Sequence, residues 1–201
     1  MRIEPKIKQS EFIKIPHEIK SCRIKYKNAI KLVGEIGGVQ EKNTATFIWI
    51  QGNFVFGDFI IQYITENDLD VEELTIITLS ISSDSIKALS SLLAKGWVSK
   101  INFMVSEYFV RTEKIKHTKS ILELETATNQ SDDFKVYTTN THQKIILLKL
   151  KDGNKIVMHG SANMKGSQNY EQLMIDNSDV LYDFNYQYFT NLIDQQNGKI
   201  R

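Results

Sequence analysis

The residues of this chain best suited to chemistry gather between Thr141 and Asp176. His142-Gln-Lys144 comes first, His159-Gly-Ser-Ala-Asn-Met164 follows, and Asn169-Tyr-Glu-Gln172 closes the set. Between the first two groups stands Asp152-Gly153, a dipeptide that favours a tight β-hairpin turn. Side chains two apart on a strand share a face, so a strand starting at His142 projects His142 and Lys144 together. A tight hairpin then returns Gly160 to Asn163 beside His142. A glycine there lets backbone approach an anion closely, and Ser161 and Asn163 add neutral hydrogen-bonding groups.

The assembled set is an imidazole, a fixed positive charge, neutral donors and a carboxylate. Such a set can attack a phosphodiester without a metal or other cofactor. His142 would be the nucleophile, Lys144 and Asn163 would hold the phosphoryl oxygens, and Glu171 would orient the imidazole. Gly160 and Ser161 would line the substrate. Each residue also has a plainer reading: His142 as a half-exposed strand histidine, Ser161 and Asn163 as turn residues, Glu171 as an ordinary strand carboxylate. His159 is expected to face away from the site by strand alternation. His17 and His117 have no partners at metal-ligand spacing, and the single cysteine, Cys22, cannot form a disulfide within the chain.

Taken in order, these residues resemble the phospholipase D superfamily. Its pattern is His-x-Lys, four residues, Asp, then Gly-Ser-x-Asn a short hairpin later, then Glu. This sequence matches it at His142, Lys144, Gly160, Ser161, Asn163 and Glu171. It departs at position 149, where Lys149 stands in place of the Asp. The resemblance implies that two copies of the motif build one active site. The chain has one copy, so a homodimer with a composite site is the expected assembly. Lys149 leaves open an alternative, a nucleic-acid-binding module of this fold with weakened turnover.

The elements that must position these residues read as an alternation. Thr46 to Ile50 is a short apolar run rich in β-formers, as in a strand buried on both faces. A helix is expected over Asp58 to Thr65, a strand over Leu74 to Thr78, and a helix over Ser83 to Ala94 capped by Ser82 or Ser83 and closed by Lys95-Gly96. A strand over Ile101 to Val105 and a helix over Thr112 to Glu125 follow. Then come strands over Phe134 to Tyr137, His142 to Leu150, Lys155 to Met158 and Tyr170 to Ile175, and a closing helix over Val180 to Ile193. Gly52-Asn53 and Gly57-Asp58 could line the same cleft as the motif residues, but read better as a turn and a helix cap. The fold class is α/β, a mixed β-sheet flanked by helices on both faces. Residues 1–45 read as a basic N-terminal appendage and 46–201 as a phospholipase D-like catalytic domain.

With 41% hydrophobic and 24% charged residues over 201 positions, the chain is neither disordered nor of low complexity. Its net charge of +1 says nothing about partners. The charge is unevenly spread: Met1 to Lys31 carries nine basic residues against three acidic ones, which reads either as a solvated lysine-rich surface or as a handle for nucleic acid. Arg111, Lys114, Lys116, His117 and Lys119 form a second basic segment. The uncharged stretch Thr44 to Gly57 is too short and too polar to cross a bilayer, and the charged N-terminus does not read as a signal peptide. The expectation is a cytoplasmic endonuclease acting on DNA or RNA, with no cofactor, no metal and no membrane partner.

Overall fold

The computed structural model describes residues 18–23, 29–51, 55–115, 118–164 and 170–197. Strands are β1 (Glu18–Arg23), β2 (Thr44–Gln51), β3 (Val71–Thr78), β4 (Ile101–Ser106), β5 (Phe134–Thr139), β6 (Ile145–Leu150), β7 (Lys155–Gly160) and β8 (Tyr170–Asn177). Helices are α1 (Ala29–Ile36), α2 (Phe56–Glu66), α3 (Ser83–Ala94), α4 (Glu107–Ile115), α5 (Lys119–Gln130) and α6 (Asp179–Asn197). The strands form one eight-stranded sheet in the order β1-β2-β8-β7-β6-β3-β4-β5.

Alternation along each strand divides the core in two. Ile48, Leu74, Ile76, Phe103, Ile146, Leu148, Ile156 and Met158 face one way and pack with buried residues of α1 to α5. Ile77, Met104, Leu147 and Val157 face the other way, under Tyr182 and Phe189 of α6. All six residues of β4 are buried, the polar Asn102 and Ser106 included, as in a strand covered on both faces. The expected mixed sheet with helices on both faces is the one observed.

Local signals worked where the backbone depends on near neighbours. Ser82 caps α3 by accepting from the Ser85 amide at 3.2 Å, and Gly96 follows the helix at φ +77°. Gly153 sits at φ +90° in the turn that joins β6 to β7. Three expectations need correction. The single helix over Thr112 to Glu125 is two helices, because the Thr118 amide bonds the Glu113 carbonyl and ends α4 before α5 starts on a different apolar stripe. Gly57 and Asp58 are not the helix cap: Val55 holds that position and they lie in the first turn of α2, where a Cβ on Gly57 would meet Ser85 Oγ at 2.4 Å. The third concerns His142, described below. Gly52 and Asn53 lie outside the described residues.

The N-terminal segment contributes to the sheet and to the core. β1 pairs parallel to β2, and Leu32 and Val33 of α1 are buried in the main cluster. Position 45, the expected end of the appendage, is inside β2. The basic arm over Met1 to Lys31 falls outside the residues whose side chains are described.

Pairing directions decide where a site can form. β3, β4 and β5 are parallel; β6 runs against β3, β7 against β6, β8 against β7 and β2 against β8. One edge of the sheet therefore collects the carboxyl ends of β2, β3, β4, β5 and β7 and the amino ends of β6 and β8. In open α/β sheets, ligands bind outside the carboxyl ends of the strands.

Candidate active site

Every motif residue lies on that edge. His142 and Lys144 immediately precede β6, Gly160 ends β7 with Ser161 and Asn163 beyond it, and Glu171 is the second residue of β8. His142 was expected on a strand, yet ladder pairing begins only at Ile145, which sits opposite His159. The two motif side chains meet for another reason. Lys144 curls back so that its Nζ donates to the His142 carbonyl at 2.9 Å and stands 3.1 Å from His142 Nδ1. With the ammonium donating, Nδ1 accepts and the proton of the neutral ring resides on Nε2. His142 is exposed and Lys144 half-buried.

The hairpin returns as expected. The Gly160 amide donates to the Lys144 carbonyl at 3.4 Å. Glycine is required there by the neighbouring strand, since a Cβ at 160 would stand 2.1 Å from the Gln172 carbonyl oxygen. Gly160→Ala is expected to force β7 from β8 at the site, at a cost of about 1–3 kcal/mol. A urea midpoint equal to that of the unsubstituted protein would show that the strands tolerate the methyl group.

Ser161 bridges the same two strands. Its amide donates to Gln172 O at 3.0 Å, its Oγ accepts from the Gln172 amide at 3.0 Å, and its hydroxyl donates to Glu171 Oε2. Glu171 was expected to orient the imidazole; that bond is not formed here. The carboxylate is taken by the nearer hydroxyl, and its field falls on Lys144. Asn163 stands between two buried residues, Ala162 and Met164, and Met164 is fixed by a bridge to Ile81 and by a bond from Ser85 Oγ at 3.1 Å. The Asn163 Oδ1 is buried and has no hydrogen-bond partner among the described residues.

The environment shifts two of these groups. Burial lowers the Lys144 ammonium below the ordinary lysine value, and the Glu171 carboxylate partly opposes it. His159 is half-buried, and burial likewise lowers its imidazole. It follows Val157 on the face covered by α6, so it points away from the edge holding His142.

Lys149 lies elsewhere. It is five residues along β6 from Lys144, roughly 16 Å at the rise of a strand. There its Nζ pairs with Glu72 Oε1 at 2.6 Å, a half-exposed pair near the opposite edge of the sheet. The departure from the family pattern therefore removes no group from the site.

One part of the site was not read from the sequence. A cleft of about 560 Å³ opens beside His142, walled by Leu79, Ser80, Ser106, Tyr108, Phe109 and Asn140 among others. These residues end or follow β3, β4 and β5, and the signal that points to them is the carboxyl-end rule for parallel strands. Among the described residues no three His, Cys, Asp or Glu side chains gather to hold a metal ion. Nor is any described helix long and apolar enough to cross a membrane.

Comparison with solved structures places this geometry. The chain is similar to polyphosphate kinase from Porphyromonas gingivalis, with a TM-score of 0.56 and 15% identity over 75% of this chain and 26% of that one. Looser alignments join it to phosphatidylserine synthase from Haemophilus influenzae (TM-score 0.42, 13% identity, 78% of this chain and 40% of that one). Yeast tyrosyl-DNA phosphodiesterase also aligns (TM-score 0.39, 10% identity, 65% of this chain and 31% of that one). The chain thus spans 26% to 40% of the length of these proteins. No family model matches the sequence, and no curated protein matches it. The likeness to polyphosphate kinase shows a shared fold, and that fold is the scaffold that carries His142, Lys144, Gly160, Ser161, Asn163 and Glu171.

Proposed function

We propose that this protein is a metal-independent phosphodiesterase, an endonuclease that cleaves DNA or RNA through a phosphohistidine at a site shared by two identical subunits. The observation that carries this reading is the Lys144 ammonium 3.1 Å from His142 Nδ1, with the Gly160 turn against them on the sheet edge where ligands bind. At rest the ammonium occupies the lone pair of Nδ1. A phosphodiester that reaches the edge offers the ammonium charged oxygens, which it prefers to a neutral imidazole. Once Lys144 turns to the phosphate, Nδ1 is free to take the ring proton and Nε2 becomes the nucleophile. Attack forms a P–N bond and breaks the P–O bond to the leaving group. The leaving oxygen takes a proton from the second subunit's His142. That ring enters the cycle as the imidazolium, having taken a proton from solvent at Nδ1 once its own Lys144 has turned to the phosphate. That imidazole, now neutral, removes a proton from the water that cleaves the P–N bond, and both rings return to their starting states.

The position of Lys149, far along β6 and paired with Glu72, favours turnover over the binding-only alternative. The direct test is incubation of the purified protein with labelled single- and double-stranded DNA and RNA in EDTA. Cleavage is expected; intact substrate in every case would overturn the reading.

The Lys144 shift makes a further prediction. Its proton leaves below 10.5, the ordinary lysine value, because burial disfavours the charge. As pH rises through that lowered value, the ammonium discharges and its hold on the phosphate is lost. The profile of kcat/KM, which reports the free enzyme, should therefore fall on its alkaline side below pH 10.5. Glu171→Gln removes the carboxylate that favours the ammonium and should move that limb lower still. Lys144→Arg, which stays charged, should remove it. A limb unmoved in both variants would assign it to another group.

A further inference from the structure

The cleft beside His142 is continuous with the proposed site, since His142 is one of its walls. Three parallel strands contribute to it where they end: Leu79 and Ser80 after β3, Ser106 and Tyr108 around the end of β4, Asn140 after β5. Its interior is mostly apolar. Phe109 is 9% exposed and forms part of the wall, whereas Tyr108, beside it in the first turn of α4, is 72% exposed. An aromatic ring left in water beside a cleft offers a stacking surface that nothing among the described residues covers. Ser80, Asn140 and Thr141 place donors and acceptors at the rim.

We infer that this cleft receives one unstacked nucleobase, that of a nucleotide flanking the phosphate attacked at His142, with Tyr108 as its stacking partner. The inference rests on the phosphodiesterase reading and deepens it by naming the substrate class, single-stranded nucleic acid. A cleft of about 560 Å³ accommodates a nucleoside. A flat ring with polar edges matches an aromatic wall with polar groups beside it, whereas an acyl chain would leave the Ser80 hydroxyl and the Asn140 amide without partners. A base held in a duplex cannot enter without leaving its stack, so pairing should oppose cleavage. Tyr108 is thus a specificity-determining residue, and it touches the base rather than the reacting atoms.

The test uses the full chain and one labelled oligonucleotide sequence, as single-stranded DNA, as single-stranded RNA, as the DNA duplex, and as single-stranded DNA with a tetrahydrofuran abasic residue beside the mapped cut. The unsubstituted protein should cut single strands faster than duplex and cut the abasic step slowly. Tyr108→Ala should lower kcat/KM on the intact single strand by about ten- to a hundredfold, and Tyr108→Phe should preserve it. On the abasic strand Tyr108→Ala should cost nothing further, because the base it would stack is gone. Comparison of the DNA and RNA strands tells which sugar the site accepts. The exposed ring supports no core, so the thermal midpoint should not move in either variant. Equal rates of Tyr108→Ala and unsubstituted protein on the intact strand would overturn the inference, as would equal cutting of duplex and single strand. Fluorescence anisotropy with the same oligonucleotides, read in parallel, separates the two claims. A protein that cuts nothing overturns the phosphodiesterase reading, while a Kd for single strands that weakens in Tyr108→Ala still supports the cleft assignment, and one that does not weaken overturns it. Preferential hydrolysis of a short-chain phosphatidylcholine over every oligonucleotide would overturn both.

Discussion

His142→Ala is expected to abolish phosphodiester cleavage, by several orders of magnitude in rate, without unfolding the protein. The argument has two parts. Chemically, the proposed mechanism makes the imidazole the group that forms the bond to phosphorus, and removing a covalent nucleophile would leave only positioning by Lys144 and the hydrogen-bonding groups around it. Structurally, His142 is exposed, precedes β6 and is tied to the fold chiefly through the Lys144 ammonium, so alanine opens no cavity and strands no buried polar group. Surface changes of that kind stay within about 0.5 kcal/mol, which for a chain of this size is about 2 °C in Tm. The measurement is single-turnover cleavage in EDTA beside a thermal melt. Full activity in the purified variant would remove the histidine mechanism. A collapsed melt would mean that the residue supports the fold.

A heterodimer of one unsubstituted and one His142→Ala subunit should fall far below half the activity of the unsubstituted homodimer. Cleavage through a phosphohistidine needs one group to attack and another to protonate the leaving oxygen. Among the described residues a single chain presents one histidine at this edge, because His159 faces α6. Water can protonate the leaving oxygen, but poorly at neutral pH. A two-fold axis that brings two His142 side chains around one phosphate supplies both groups, together with Lys144, Asn163 and Glu171 from each subunit. Independent sites would leave the tagged, purified heterodimer at about half the rate, since one of two sites survives. A shared site should lower it by roughly 10²-fold or more, the contribution of a general acid. A heterodimer at half activity, or an active monomer in solution, would refute the composite site.

Two kinds of information in this chain have different origins. Features governed by near neighbours were legible from the residues alone. The β6–β7 hairpin follows from Asp152-Gly153, because a turn that needs positive φ selects glycine, and Gly153 adopts +90°. Helix α3 begins and ends where Ser82 and Lys95-Gly96 place its boundaries. The motif itself was legible for the same reason: His142, Lys144 and Gly160 are joined by one hairpin, so local geometry is enough to bring them together.

What depended on distant pairing was decided by the tertiary structure. No local pattern says that β8 inserts between β2 and β7, yet that insertion sets Gly160 against the Gln172 carbonyl and makes glycine obligatory there. The orienting role of Glu171 was read from the order of the motif; the β7–β8 ladder sets Ser161 beside Glu171 and delivers the serine hydroxyl. Lys149 looked like a defect in the motif until β3 came alongside β6 and supplied Glu72 as its partner at the far edge. The segment before residue 46 read as an irregular or strand-rich basic appendage. Burial of Leu32 and Val33, and the pairing of β1 with β2, come from contacts that no periodicity encodes. The cleft is the extreme case. Its walls come from residues 79–142, each unremarkable alone, and they meet because three parallel strands end side by side. Local propensity acts over a turn or two of chain, whereas a site between strand ends exists only once burial of both sheet faces has settled the strand order.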